Sequence, residues 1–133
     1  MCLPIAFRGG FGLFVLAAFI GCGNAEPVKA PPTNKVEGVV VRPNGKPALR
    51  GAIEFRHVAK PEFPSMGEVD ADGRFSLRTI AGNNQNVVGA QEGEHTVTYT
   101  PTSEKQEEMI PVTLSKKYMV KAGDNNITVT LEK

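Results

Sequence analysis

From residue 36 onward the chain alternates apolar and polar side chains in short runs separated by turn residues. Period two is the signature of strands, because successive side chains point to opposite faces of a sheet. Residues 36–42 form a valine-rich run that ends in Pro43-Asn44-Gly45-Lys46-Pro47. Asn-Gly tolerates positive φ, so this segment predicts a tight turn and a hairpin. In residues 51–57, Ile53, Phe55 and His57 share one face, while Ala52, Glu54 and Arg56 share the other; such a strand has one wet side. Residues 67–70 and 74–80 flank Ala71-Asp72-Gly73 and predict a second hairpin, with Phe75, Leu77 and Thr79 alternating against Arg74, Ser76 and Arg78. Residues 81–90, rich in Gly and Asn, read as a loop. Residues 95–100 resume the alternation with Val97 and Tyr99 inward, and residues 102–108 form a charged connection. Residues 111–120 read as one irregular or edge strand, and the turn Gly123-Asp124-Asn125-Asn126 leads into Ile127, Val129 and Leu131, directed inward. About seven strands without a helical stripe predict an all-β fold, a single Greek-key-type β-sandwich over residues 36–133. Phe55, Phe75, Val97 and Val129 are expected in one core.

The first residues follow a different rule. Arg8 gives a positive start, residues 11–20 give an apolar run, and Gly21 places a small residue before Cys22. This is the pattern of a secretory signal peptide, here a signal helix over residues 1–21. A bilayer span needs about 20 apolar residues, and Pro4, Arg8, Gly9 and Gly10 interrupt this stretch. Phe19-Ile20-Gly21-Cys22 resembles the bacterial lipobox, with Phe19 where Leu is usual. The resemblance implies that Cys22 is lipidated and becomes the mature N-terminus, so that the membrane is held through lipid. Residues 22–35 contain three prolines and no apolar periodicity. They are expected to be a disordered tether reaching roughly 40 Å if extended as polyproline II.

Composition narrows the function classes. Of 15 Lys and Arg only Arg8 precedes Cys22, so the remaining 14 balance 14 Asp and Glu. A neutral domain without Trp lacks the basic excess and stacking residues of a nucleic-acid binder, and no nucleic-acid partner is expected. Cys2 leaves with the signal peptide and Cys22 is taken by lipid, so the domain carries no thiol for a disulfide.

Val36-Glu37-Gly38-Val39-Val40, followed by Asn44-Gly45-Lys46-Pro47-Ala48-Leu49 and Gly51-Ala52-Ile53-Glu54-Phe55, resembles the opening of carboxypeptidase regulatory-like domains, which are transthyretin-like sandwiches. Val69-Asp70-Ala71-Asp72-Gly73-Arg74-Phe75-Ser76-Leu77 is similar to that family's aspartate-glycine hairpin. Gly89-Ala90-Gln91-Glu92-Gly93-Glu94-His95-Thr96-Val97 is similar to its glycine-rich entry into the next strand. With the lipobox, the whole chain resembles small lipoproteins of planctomycete-type bacteria. The shared motifs are turn chemistry, which carries fold rather than activity. The transthyretin-like fold also hosts a purine-catabolism hydrolase, but the Tyr-Arg-Gly-Ser end of that enzyme is missing here, where the chain ends Thr130-Leu131-Glu132-Lys133.

Candidate chemistry is sparse. His57 and His95 are the only histidines, and neither sits in a nucleophile or metal-ligand pattern. Glu68, Asp70 and Asp72, at alternate positions before Gly73, form the first half of a calcium loop. The position for a bidentate Glu holds Thr79, so a plain β-turn is the expected role and no cofactor is expected. Asn126-Ile127-Thr128 matches a glycosylation acceptor only formally. The expected function is therefore a non-catalytic module of the bacterial cell envelope, lipid-anchored, on the periplasmic or extracellular side, with a structural or interaction role. A carbohydrate-binding accessory module is the alternative. It would require Phe63, Tyr99 and Tyr118 to be exposed together as a stacking platform.

Overall fold

The computed structural model describes residues 29–82 and 85–133; the expected signal helix, Cys22 and the start of the tether lie outside them. Within them the chain is all-β and sandwich-like, with two sheets facing each other across one core. The strands are β1 (Val36–Val41), β2 (Gly51–His57), β3 (Ser65–Val69), β4 (Arg74–Ser76), β5 (Arg78–Ala81), β6 (Gln85–Val88), β7 (Gly93–Pro101), β8 (Val112–Thr113), β9 (Tyr118–Val120) and β10 (Asn125–Thr130). The smaller sheet has the order β10-β1-β4, with β10 parallel and β4 antiparallel to β1. The larger has the order β6-β5-β3-β2-β7-β8, and β9 pairs with β7 beside β8. Among the described residues the helical content is one 3-10 turn, Gln106–Glu108, and no helix is long and apolar enough to cross a membrane.

The alternation places the core as the sequence implies. Val36, Val40 and Val129 of the small sheet, with Phe75, face Ile53, Phe55, Val97 and Tyr99 of the large one, all buried in a single cluster. The rings of Phe55 and Phe75 meet across the sheets at 5.9 Å. Gly38 lies between Val36 and Val40 on β1 and leaves room for the Phe75 ring: a Cβ there would stand 2.8 Å from Phe75 Cζ and would overlap the Ile127 carbonyl.

Both expected hairpins are corrected in the same way: the turns form, but the strands part into different sheets. At residues 42–46 the Gly45 N–H donates to the Arg42 carbonyl at 2.8 Å, with Gly45 at φ 82°. The ladder is limited to one bridge, Val41 to Pro47, flanked by the bonds from Arg42 N–H to the Lys46 carbonyl at 2.8 Å and from Ala48 N–H to the Val40 carbonyl at 2.9 Å. β1 pairs with β10 and β4, while β2 pairs with β3 and β7. The second turn likewise joins β3 of the large sheet to β4 of the small one. Residues 74–80 are not one strand. Phe75, Leu77 and Thr79 all stay buried, but the backbone changes partner at Leu77, whose N–H donates to the Val36 carbonyl. A strand that switches sheets at a corner is a usual way of closing two packed sheets.

Two further differences raise the strand number to ten. Residues 85–88, expected in a loop, form β6 on the edge of the large sheet against β5. The edge segment 111–120 is divided into β8 and β9, both against β7, with the buried Leu114 between them. Hydrogen bonding to the domain begins before β1, within the segment expected as tether. Thr33 Oγ1 donates to the Val88 carbonyl at 2.7 Å, and Asn34 forms a two-way bridge with Ala90.

Candidate functional site

The acidic turn is built from its own hydrogen bonds. Asp70 Oδ1 accepts the N–H groups of Asp72 and Arg74, each at 2.9 Å, and Gly73 N–H donates to the Asp70 carbonyl at 3.0 Å. Gly73 has φ 76°, and a Cβ on it would lie 2.6 Å from the Val40 carbonyl oxygen, so glycine is required by both conformation and space. Glu68 and Asp72 are exposed, and Thr79 is turned into the core. Thr79 Oγ1 donates to the Gly89 carbonyl at 2.7 Å and accepts from Ser65 Oγ at 2.8 Å. Glu68, Asp70 and Asp72 are thus not gathered around a common point. Among the described residues no three His, Cys, Asp or Glu side chains are grouped to hold a metal ion.

The two histidines, in contrast, are brought together. His57 on β2 and His95 on β7 are register partners, with rings edge to face at 5.1 Å. His57 Nδ1 accepts the N–H groups of Ala59 and Lys60, each at 3.0 Å, so the proton is on Nε2, which donates to the Glu92 carbonyl at 3.0 Å. Gly93, at φ 128°, passes so close to this ring that a Cβ would stand 2.5 Å from His57 Nε2. His95 Nδ1 lies 2.9 Å from the Gly93 carbonyl, which can only accept, so Nδ1 carries the proton. His95 is 1 % exposed, and its ring packs 6.0 Å from that of Phe55. Burial holds its pKa below 6.5; the Gly93 carbonyl opposes that shift and the neighbouring His57 adds to it. Both rings close the loops at this end of the large sheet, and among the described residues the partners of their ring nitrogens are backbone groups.

The three aromatic residues proposed as a platform do not gather on the surface. Tyr99 and Tyr118 are core residues, and Phe63 is half-buried. The Tyr99 hydroxyl donates to the Leu49 carbonyl, and the Tyr118 hydroxyl accepts the Thr130 N–H at 3.1 Å. Burial raises the pKa of Tyr99, with nearby Arg42 pulling the other way. Asn126 is exposed on β10.

One feature escaped the sequence: an apolar cleft at the far end of β1, assembled from four separated segments around Leu49, Tyr99, Val112 and Leu131. Leu49 and Val112 are large apolar residues that the fold leaves exposed there. Comparison of the chain with protein-family models, with curated proteins and with solved structures gives no match.

Proposed function

We propose that the protein is a lipoprotein of the bacterial cell envelope: Cys22 carries the lipid, residues 22–35 tether the domain, and the β domain is a non-catalytic structural or interaction module of the carboxypeptidase regulatory-like, transthyretin-like kind. The observation that carries the reading is Phe19-Ile20-Gly21-Cys22 at the end of the apolar run of residues 11–20. Thioether-linked diacylglycerol adds about 0.8 kcal/mol per buried methylene, so several dozen methylenes anchor the chain permanently. The non-catalytic reading is supported by the histidines, since both ring nitrogens of His57 and Nδ1 of the buried His95 serve backbone groups. Mass spectrometry of the N-terminal peptide tests the anchor. The expected species begins at a diacylated or triacylated Cys22 and partitions into detergent. A peptide that begins elsewhere, or at an unmodified Cys22, overturns the reading. Cys22→Ser should leave an uncleaved precursor or release a soluble chain.

A further inference from the structure

The His57 ring is the post to which a surface loop is tied, and its two sides are chemically different. Nε2–H donates to the Glu92 carbonyl at 3.0 Å, while the lone pair of Nδ1 accepts the N–H groups of Ala59 and Lys60. An imidazolium carries N–H on both nitrogens. The Glu92 bond therefore survives protonation and gains charge assistance, whereas at Nδ1 a new N–H would face two others. The ring itself keeps its place: Gly93 packs so close that a Cβ there would stand 2.5 Å from Nε2, and the His95 ring meets it edge to face at 5.1 Å. His57 is only half-buried, so protons from solvent reach it. The loop it holds borders a cleft of about 280 Å³, between Lys60 and the entry segment at Pro31 and Pro32. Gln91, 5 % exposed, lines the same cleft, and its Nε2 reaches the Lys60 carbonyl only at 3.5 Å.

We propose that His57 is a proton-operated clamp: one proton from water, added to the Nδ1 lone pair, releases the Ala59 and Lys60 N–H groups and opens the loop, while the ring stays on Glu92. The loop is held in the range where imidazoles are neutral and released as pH falls through about 6.5, where they take up a proton. Release is confined to residues 59–63. The ends of the loop stay fixed, because Val58 N–H donates to the Glu94 carbonyl at 2.9 Å and Ile80 N–H to the Pro64 carbonyl at 3.0 Å. The charges around the ring are mixed: Lys60 and His95 oppose a cation there and Glu92 favours it. Tyr118 and the Glu94–Lys117 ion pair lie beyond His95. Opening uncovers Gln91 and widens the cleft beside the entry segment, at the end of the domain where the chain leaves for the proposed tether. The clamp itself does not depend on how the chain is anchored.

The test titrates the full chain, isotope-labelled, in nanodiscs of zwitterionic phosphatidylcholine, between about pH 8 and pH 5. Imidazole nitrogen spectra report the charge of His57, and amide hydrogen exchange, corrected for its intrinsic pH dependence, reports the loop. Protection of the Ala59 and Lys60 amides is expected to fall about tenfold or more in step with His57 protonation, while the amides of β7 keep theirs. Because the sheets stay paired, the opening is read at these amides rather than in global unfolding. His57→Asn places a carbonyl oxygen near the position of Nδ1 without a titratable group and should remove the pH step. His95→Phe leaves the clamp in place and should keep it. The wild-type titration stands on its own where a variant does not fold. A charged His57 with both amides still protected, protection lost over β2 and β7 together, a step that follows His95 instead, or no change down to about pH 5 would each overturn the proposal.

Discussion

Phe75→Ala is the sharpest probe of how the two sheets are joined. Phe75 is 4 % exposed and is the aromatic residue of the small sheet that reaches Phe55 in the large one. Replacing a buried Phe by Ala costs about 3–5 kcal/mol, less where neighbours can collapse into the void and more where they cannot. Here one wall is the Gly38 backbone, held on one side by pairing to Ile127 and on the other by pairing to Phe75 itself, so it cannot move inward. The cost should therefore fall near the upper end, about 4–5 kcal/mol. A domain of this size has a total stability of about 5–15 kcal/mol, and each kcal/mol corresponds to about 4–8 °C in Tm, so a drop of roughly 16–40 °C is expected. Because the chain has no Trp, unfolding in urea is best followed by circular dichroism. The midpoint should fall while the slope against denaturant stays constant, since the surface exposed on unfolding is unchanged. A loss below about 1 kcal/mol would mean that Phe75 does not fill the space between the sheets, and the packing argument would fail.

Gly38→Ala should be at least as damaging, because the new methyl meets both the Ile127 carbonyl and the Phe75 ring; adding Phe75→Leu relieves only the second clash, so rescue to wild-type stability in the double variant would refute the backbone contact. Stability should decline as pH falls below about 6.5, because the unfolded chain takes up a proton on His95 more readily than the buried ring does, and the loss should level off once pH passes the lowered folded value. The groups around that ring are His57 from β2, Tyr118 from β9 and, at the surface, Glu94 in an ion pair with Lys117; His95→Phe should flatten the profile between pH 7 and 5, and an unchanged slope in chemical-denaturation curves would sink the idea. Asp70→Ala removes the acceptor of two turn hydrogen bonds and should cost about 1–2 kcal/mol, while thermal unfolding of the wild type with calcium and with chelator should coincide; a rise of many degrees in calcium would reassign the turn as a metal site.

The parts of the fold that could be read in the sequence are those decided locally. Turns at Gly45 and Gly73 follow from residues that tolerate positive φ, and the inward faces of β2, β4, β5 and β7 follow from period two. Strand partnership was not readable. The turn chemistry at Asn44-Gly45 is the same whether the flanking strands pair with each other or part into opposite sheets, and here they part. Likewise the run Phe75 to Thr79 keeps its alternation through Leu77 while its hydrogen bonds pass from β1 to β3. β6 was hidden because an edge strand with both faces largely wet needs no apolar alternation. At the sites, spacing put His57 on the inner face of its strand but could not show that Ala59, Lys60 and Glu92 fix its tautomer, because those groups arrive from loops. The cleft around Arg42 was invisible for the same reason, being lined from residues 42 to 133 of the chain.

The topology bears directly on what a tether at the N-terminus would do. The chain enters the fold at Thr33 and Asn34 and passes straight into β1, the central strand of the small sheet. β1 is paired at six positions with β10 on one side and at three with β4 on the other. A pull from the proposed lipid at Cys22 runs along the axis of β1, while ladder hydrogen bonds lie across it, so the bonds to both neighbours carry the load together in shear rather than opening one after another. The parallel partner β10 is the last of the described strands, which ties the entry of the chain into the fold to residues 125–130. The small sheet therefore cannot close until residues 125–130 are in place, and such non-local pairing folds slowly. Until then Val36 and Val40 lack their cover from Val129, so the strand next to the proposed tether is completed only by the last of the described strands.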